Sequence, residues 1–311
     1  MNSYRVFLLP FFVVLVGIVS LHSIIVKKSD ADEQKKLTIV VTTSILTDAV
    51  KSIVGNTANV HGLMGCGVDP HLYRARESDV HKLAAADLIV YNGLHLEGKM
   101  GQVLQGIQRF ATVINASDVL DKTKLRHSDF EDLYDPHIWF DVTLWIKVVR
   151  YLQEKIIALD PEKTFVYKKN GDEYIEQLEQ LHLYVQQRVN EIDQHKRILI
   201  TAHDAFGYFG DAYGFEVVGL QGLSTDCDIS TKDIQELADY IVQKRISTIF
   251  VESSISERTL MAVCDAVAAC GHTVTLGAEL YSDALGDETT GAASYIGMVK
   301  HNVDAIVDAM K

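Results

Sequence analysis

Two turns in this chain set a histidine directly behind an Asp-Pro step, in GVDPHLY at 67–73 and in YDPHIWFD at 134–141. Proline presets φ and aspartate bonds to nearby backbone, so each step starts a rigid turn and fixes where the next side chain points. A third Asp-Pro step, Asp160-Pro161, is followed by Glu162 and carries no such histidine. Imidazoles on rigid turns suit a divalent transition metal, for which neutral histidine nitrogen is a common protein ligand. His71 and His137 are therefore the first candidate ligands.

The elements around them supply the rest of a site. LTIVVT at 37–42, ANVHGL at 58–63 and DLIVY at 87–91 read as strands, with helical stretches between them. RILITAH at 197–203, FEVVGL at 215–220 and STIFVE at 247–252 repeat that order. A helix over STKDIQELADYIVQK begins in a capping box at Ser230 and Asp233. Gly-Leu-Met-Gly at 62–65 and Gly-Leu-Gln-Gly at 219–222 both follow a second strand. The pattern predicts an α/β fold of two lobes, each a mostly parallel sheet flanked by helices. Between the halves, Asp160 is placed to cap a helix and Pro161 to begin it. Tyr174, Leu178, Leu181, Val185, Val189 and Ile192 then follow helical spacing. One long helix over 160–193 is expected to join an N-terminal lobe at 36–159 to a C-terminal lobe at 194–311.

In such sheets ligands bind beyond the carboxyl ends of strands. His71, His137 and His203 all fall at such ends, on turns. Of the other histidines, His95 in NGLHLEGKMG is the least certain non-ligand; the rest lie in helices, in or beside strands, or in flexible or end positions. A fourth ligand is sought in HTVTLGAELYSDALGD at 272–287, which offers Glu279, Asp283 and Asp287. Asp283 lies far enough past the strand to reach a cleft, and Glu252, ending IFVE, competes with it. Three imidazoles and a carboxylate suit Zn²⁺, and also Mn²⁺ or Fe²⁺. Asp69, Asp135 and Asp204, each beside a candidate histidine, are expected to accept the other ring N–H or merely to start turns; Glu252 is a further candidate for that supporting role.

Bulk composition narrows the function classes. The net charge is −13; beyond the first 28 residues, 26 basic side chains face 42 acidic ones, a balance of −16. Such a surface is a poor partner for nucleic acid or anionic lipid. Arg5, the uncharged run 6–26 and then Lys27 and Lys28 read as a secretory signal within 1–29, or as an uncleaved membrane anchor long enough to span a bilayer. The remainder is expected to work in the periplasm or otherwise outside the cytoplasm, touching membrane only through that segment. No cysteine precedes Cys66, so this sequence offers no N-terminal cysteine for lipid attachment. Cys66, Cys227, Cys264 and Cys270 show no C-x-x-C spacing, and are expected as buried small side chains or as one bridge within the second half.

GVDPHLY, DLIVYNGLHLEGKMG, DPHIWFDVTLW, TAHDAFGYF and GAELYSDALGD together resemble the TroA-type metal-binding solute receptors of zinc and manganese ABC importers (cluster A-I). The likeness runs in order through nearly all of the chain after residue 36. It implies two α/β lobes on one backbone helix, with the metal between them on His71, His137, His203 and Asp283. It implies an ABC permease and its ATPase as partners, a monomeric receptor, and Zn²⁺ or Mn²⁺ as cargo, with Fe²⁺ a third candidate. Dedicated zinc members carry a long His-rich acidic loop between the first two ligands, whereas 116–136 contain only His127. Manganese members place glutamate where this chain has His203, and an all-nitrogen trio favours zinc over the weakly binding Mn²⁺. Cys66 departs from the proline expected in the turn that holds His71.

Affinity is expected to fall as pH drops through the histidine range, because ligands must be deprotonated. The competing reading is a secreted metal-dependent hydrolase, but four protein ligands leave no open position for substrate, and neither H-E-x-x-H nor Gly-x-Ser-x-Gly occurs. An adhesin with a structural metal is a third reading.

Overall fold

The fold, taken from a computed structural model, is described for residues 36–127 and 133–311; the apolar run 6–26 and the signal or anchor read from it lie outside the described residues. Strands β1 (Thr38–Val41), β2 (Asn59–Gly62), β3 (Leu88–Tyr91) and β4 (Thr112–Asn115) form a fully parallel sheet in the order β2-β1-β3-β4. The central strands β1 and β3 are apolar on both faces, as a covered parallel strand requires. Helix α1 (Ser44–Val54) returns the chain from β1, with the Thr43 side chain accepting the Leu46 N–H at its start. Helices α2 (Glu77–Ala84) and α3 (Gly101–Ile107) complete this part.

The second half uses the same order. Strands β5 (Ile198–His203) and β6 (Glu216–Gln221) pair in parallel, as do β7 (Thr248–Ile249) and β8 (Thr275–Leu276). Phe250 N–H donates to the Ile200 carbonyl at 2.9 Å, so β7 lies beside β5 and the order is β6-β5-β7-β8. STIFVE is thus paired on two sides, and its regular strand shrinks to two residues plus a bridge from Glu252 to Leu280. Helices α6 (Gly207–Tyr213), α7 (Thr231–Lys244) and α8 (Arg258–Ala269) flank these strands. The capping box at Ser230 and Asp233 is present in both directions. The fold is α/β, with parallel sheets flanked by helices.

Helix α4 (Val142–Leu159) leads into one long helix, α5 (Thr164–Val189), and α9 (Tyr295–Met310) packs against it. The continuous helix is shorter than the 160–193 span. Short 3₁₀ turns at Pro161–Lys163 and Gln194–Lys196 bracket it. Asp160 does not cap with its side chain; its carboxylate accepts the Tyr167 hydroxyl at 2.7 Å instead. The Gly171 stretch does not break the helix, because α4 crosses there. A Cβ at Gly171 would fall 2.3 Å from Gln153 Nε2, whose amide is held by the carbonyls of Tyr167 and Lys168. Tyr167, Tyr174, Ile175, Leu178, Leu181, Val185 and Val189 turn inward from α5. Each such burial contributes roughly 1.5–3 kcal/mol, more than the helix's own propensity.

The largest apolar core joins α1, α4, α5 and α9, while separate cores lie between 40 and 113 and between 200 and 274. Among the described residues no helix is long and apolar enough to cross a membrane. No cysteine is bridged: Cys66, Cys227 and Cys270 are exposed and Cys264 half-buried, which corrects the expectation of burial or pairing. Cys264 lies within α8 and Cys270 just past its end, so about 9 Å of helical rise separates their backbones, beyond disulfide reach.

Candidate metal centre

His71 follows β2, His137 follows β4 and directly precedes the turn into α4, and His203 ends β5. Asp283 lies in the loop after β8. These four come together: one ligand atom from each lies within 4.8 Å of all the others. His71 Nε2 is 3.3 Å from His137 Nε2 and 3.8 Å from Asp283 Oδ2. Asp283 Oδ1 is 3.4 Å from His137 Nε2, and its Oδ2 is 3.3 Å from His203 Nε2. Ligands about 2.0–2.1 Å from a tetrahedral ion sit about 3.3–3.4 Å apart, which three of these four separations match and the His71–Asp283 one exceeds. All four are buried, at 5 % exposure for His71 and 1 % or less for the others. His203 Nε2 and both Asp283 oxygens have no hydrogen-bond partner among the described residues. Buried polar atoms without partners are rare, and a bound cation is one arrangement that satisfies them.

Each side chain is held by local chemistry. Asp135 Oδ1 accepts the His137 main-chain N–H at 2.9 Å and meets its ring Nδ1 at 2.8 Å. That contact keeps the proton on Nδ1 and turns Nε2 toward the other ligands. Trp139, in the buried turn Ile138–Phe140, donates its indole N–H to the Ser282 carbonyl at 2.9 Å, which ties His137 to the Asp283 loop. Glu252 accepts the His203 main-chain N–H through Oε1 at 2.9 Å, while its Oε2 lies 2.6 Å from ring Nδ1 as a charge contact outside hydrogen-bond geometry. Gly219 lets β6 pass close beside His203, since a Cβ there would fall 2.5 Å from the His203 carbonyl carbon. The Asp283 loop is pinned by Asn302, which bonds both main-chain groups of Tyr281, and by Ser44, which accepts the Leu285 N–H.

The remaining candidates take other places. Glu252 stands behind His203 and not within the four-residue cluster; Glu279 and Asp287 are exposed. Asp69 accepts the His71 main-chain N–H at 2.8 Å but makes no bond to the His71 ring among the described residues. Asp204 likewise makes no bond to the His203 ring, and lines a cavity of about 510 Å³ with Arg126 and Asp135. His95 is exposed and outside the cluster, in a backbone strained at Leu94 and His95 with φ of 51° and 70°. Glu97, buried at the end of that stretch, accepts from Thr42 Oγ1 at 2.7 Å and from the Asn92 N–H at 2.7 Å. Thr225, which the sequence reading did not single out, donates its hydroxyl to Asp69 Oδ2 at 2.6 Å. No local signal connects those two, because they lie 156 residues apart.

The electrostatics of the cluster are uneven. Burial lowers the His71 pKa to about 3, aided by the neighbouring imidazoles and only partly opposed by Asp283. Burial also disfavours a charged His137, but Asp135 and Asp283 outweigh it and raise its pKa to about 9. His203 is raised well above the usual histidine range for the same reason, with burial overcome by Glu252 and Asp283. Burial disfavours a charged Asp283 as well, yet His203 and His137 hold it well below the usual carboxylate range.

Four buried protein donors on a parallel α/β scaffold fit a site that holds a cation and leaves no open position for substrate. The chain belongs to the family described as zinc-uptake complex component A, periplasmic (ZnuA), which matches residues 39–309. It is 46 % identical over 281 residues to the zinc-binding protein TroA of Treponema pallidum, covering 90 % of this chain and 91 % of that protein. It is 44 % identical over 281 residues to the manganese-binding lipoprotein MntA of Bacillus subtilis, with the same coverage of 90 % and 91 %. The solved structure of periplasmic zinc-binding TroA from Treponema pallidum superposes with a TM-score of 0.87 at 45 % identity, covering 89 % of this chain and 99 % of that one. The family is one of solute-binding receptors, so the hydrolase reading has no support from it.

Proposed function

We propose that this protein captures one divalent transition-metal ion outside the cytoplasm and hands it to an ABC permease driven by its ATPase. His71, His137, His203 and Asp283 hold the ion in this reading; Asp135 and Glu252 orient the imidazoles, while Asp69 acts through the main chain of His71. The observation that carries it is the buried cluster, with His203 Nε2 and both Asp283 oxygens lacking partners. Residues 36–159 and 194–311 act as the two lobes, with 160–193 between them. The protein works as a monomer. One of the similar proteins is named for zinc and the other for manganese. Three imidazole nitrogens favour Zn²⁺ on intrinsic affinity, with Mn²⁺ and Fe²⁺ as competitors. The similar MntA is named a lipoprotein, but the first cysteine of this chain is Cys66. In this reading the uncharged run 6–26 serves as signal or membrane anchor.

The test is elemental analysis of protein stripped of metal and reloaded, without oxygen, from equal zinc, manganese and iron(II). About one ion per chain is expected, with zinc dominant. The variant His203→Ala should lose it. No tightly held metal, or equal loading of the variant, overturns the proposal.

A further inference from the structure

The two Asp-Pro-His turns differ in where the second aspartate oxygen goes. Asp135 gives Oδ1 to both the main chain and the ring of its own histidine, and its Oδ2 faces Arg126 Nε at 3.5 Å. Asp69 gives Oδ1 only to the main-chain N–H of His71. Its Oδ2 reaches across the molecule to the Thr225 hydroxyl. Thr225 lies in the loop between β6 and α7, and the next residue, Asp226, pairs with Lys99 from the stretch after β3. One loop of the second half is thus fastened to two segments of the first.

We propose that Thr225 is a positioning residue that locks His71 onto the cargo ion through Asp69, and thereby sets how fast the ion leaves. This rests on the receptor reading above. Among the described residues His137 and His203 each have a carboxylate against the second ring nitrogen and His71 has none, so the placement of His71 depends on its main-chain bond to Asp69. A carboxylate bonded at both oxygens is held in orientation; released at one, it turns about a broad side-chain torsion. Thr225 comes from the opposite half of the chain, so one broken bond frees the loop from the His71 turn. The Lys99–Asp226 pair is largely exposed and contributes little on its own. The Thr225–Asp69 bond is half-buried and made to a carboxylate, which makes it the stronger fastening.

The test measures release of Zn²⁺ from the loaded full-length protein into excess chelator, by stopped flow. Thr225→Val keeps the side-chain shape and removes the hydroxyl; Thr225→Ser keeps the hydroxyl. Valine should speed release about tenfold, the worth of one hydrogen bond to a charged acceptor, while leaving one ion per chain. Serine should restore the slow rate, and Lys99→Ala should change it little. In an Asp69→Ala background the difference between threonine and valine should vanish. Equal release from wild type and Thr225→Val, both loading one ion, overturns the lock and leaves the receptor reading standing. Equal acceleration by serine and valine also overturns it, since packing alone would then be at work. A wild type that loads no zinc overturns both readings.

Discussion

Loading this site at about pH 7 should expel about two protons per ion, one each from His137 and His203. In the metal-free protein His137 has a pKa of about 9 and His203 lies well above 6.5, so both rings carry a proton at neutral pH. His71, at about 3, and Asp283, well below 3.8, carry none. A metal needs the bare nitrogen, so each charged ring must give up its proton to become a ligand. Each displaced proton changes log K by about one per pH unit, so affinity should rise about 100-fold per unit through neutral pH. The slope should flatten only as pH nears the His137 value. Sequence alone places the loss of affinity in the ordinary histidine range; the carboxylates behind the rings move it upward. Calorimetric titration of stripped protein with Zn²⁺, in buffers of differing ionisation enthalpy, counts the protons directly. Glu252→Gln removes the carboxylate against His203 Nδ1 and should bring the count toward one. Fewer than about one proton released by wild type at pH 7, or an affinity flat from about pH 6 to pH 8, would refute this account of the buried charges.

Stability of the metal-free protein should peak near pH 6.5 and fall on both sides. The raised His137 contributes of the order of 3 kcal/mol that is full below its unfolded value of about 6.5 and lost as pH rises through about 9. The depressed His71 and Asp283 act in the other direction: the folded state loses ground as acid protonates the unfolded chain first. Thermal melts across pH check this, and the metal-loaded protein should not show the alkaline decline. Gly171→Ala, expected from propensity alone to gain about 1 kcal/mol, should instead cost about 1–3 kcal/mol in urea unfolding, because the new methyl meets Gln153. Leu178→Ala, fully buried on α5, should cost about 2–5 kcal/mol in the same assay.

The parts of the site legible in the sequence were those governed by local chemistry. The Asp-Pro-His turns and the capping box at Ser230 each depend on a few adjacent residues, and the structure has them where the pattern implies. Asp283 and Glu252 could not be separated by spacing, because a loop's path past its strand depends on distant pins. In this fold those pins are Asn302, Ser44 and Trp139. The adjoining aspartates were harder still. Asp135 and Asp69 sit in the same tripeptide, yet only one meets its histidine ring, and the difference lies with Thr225 and Arg126 elsewhere in the chain. STIFVE reads as one strand, yet its regular part is Thr248–Ile249, with only a bridge from Glu252 to Leu280 beyond it.

The repeated strand order has a numerical consequence. Both halves place a buried glutamate where it meets the residue at or just past the end of the central strand. Glu97 meets Thr42 in the first half, and Glu252 meets His203 in the second. The duplicated scaffold thus has two equivalent seats, but only one is furnished with an imidazole. A threonine hydroxyl satisfied by Glu97 offers no competing station for a second ion. Under the proposed function, each visit to the permease then delivers a single ion, and uptake becomes a count of dockings, a fixed dose set by one side chain.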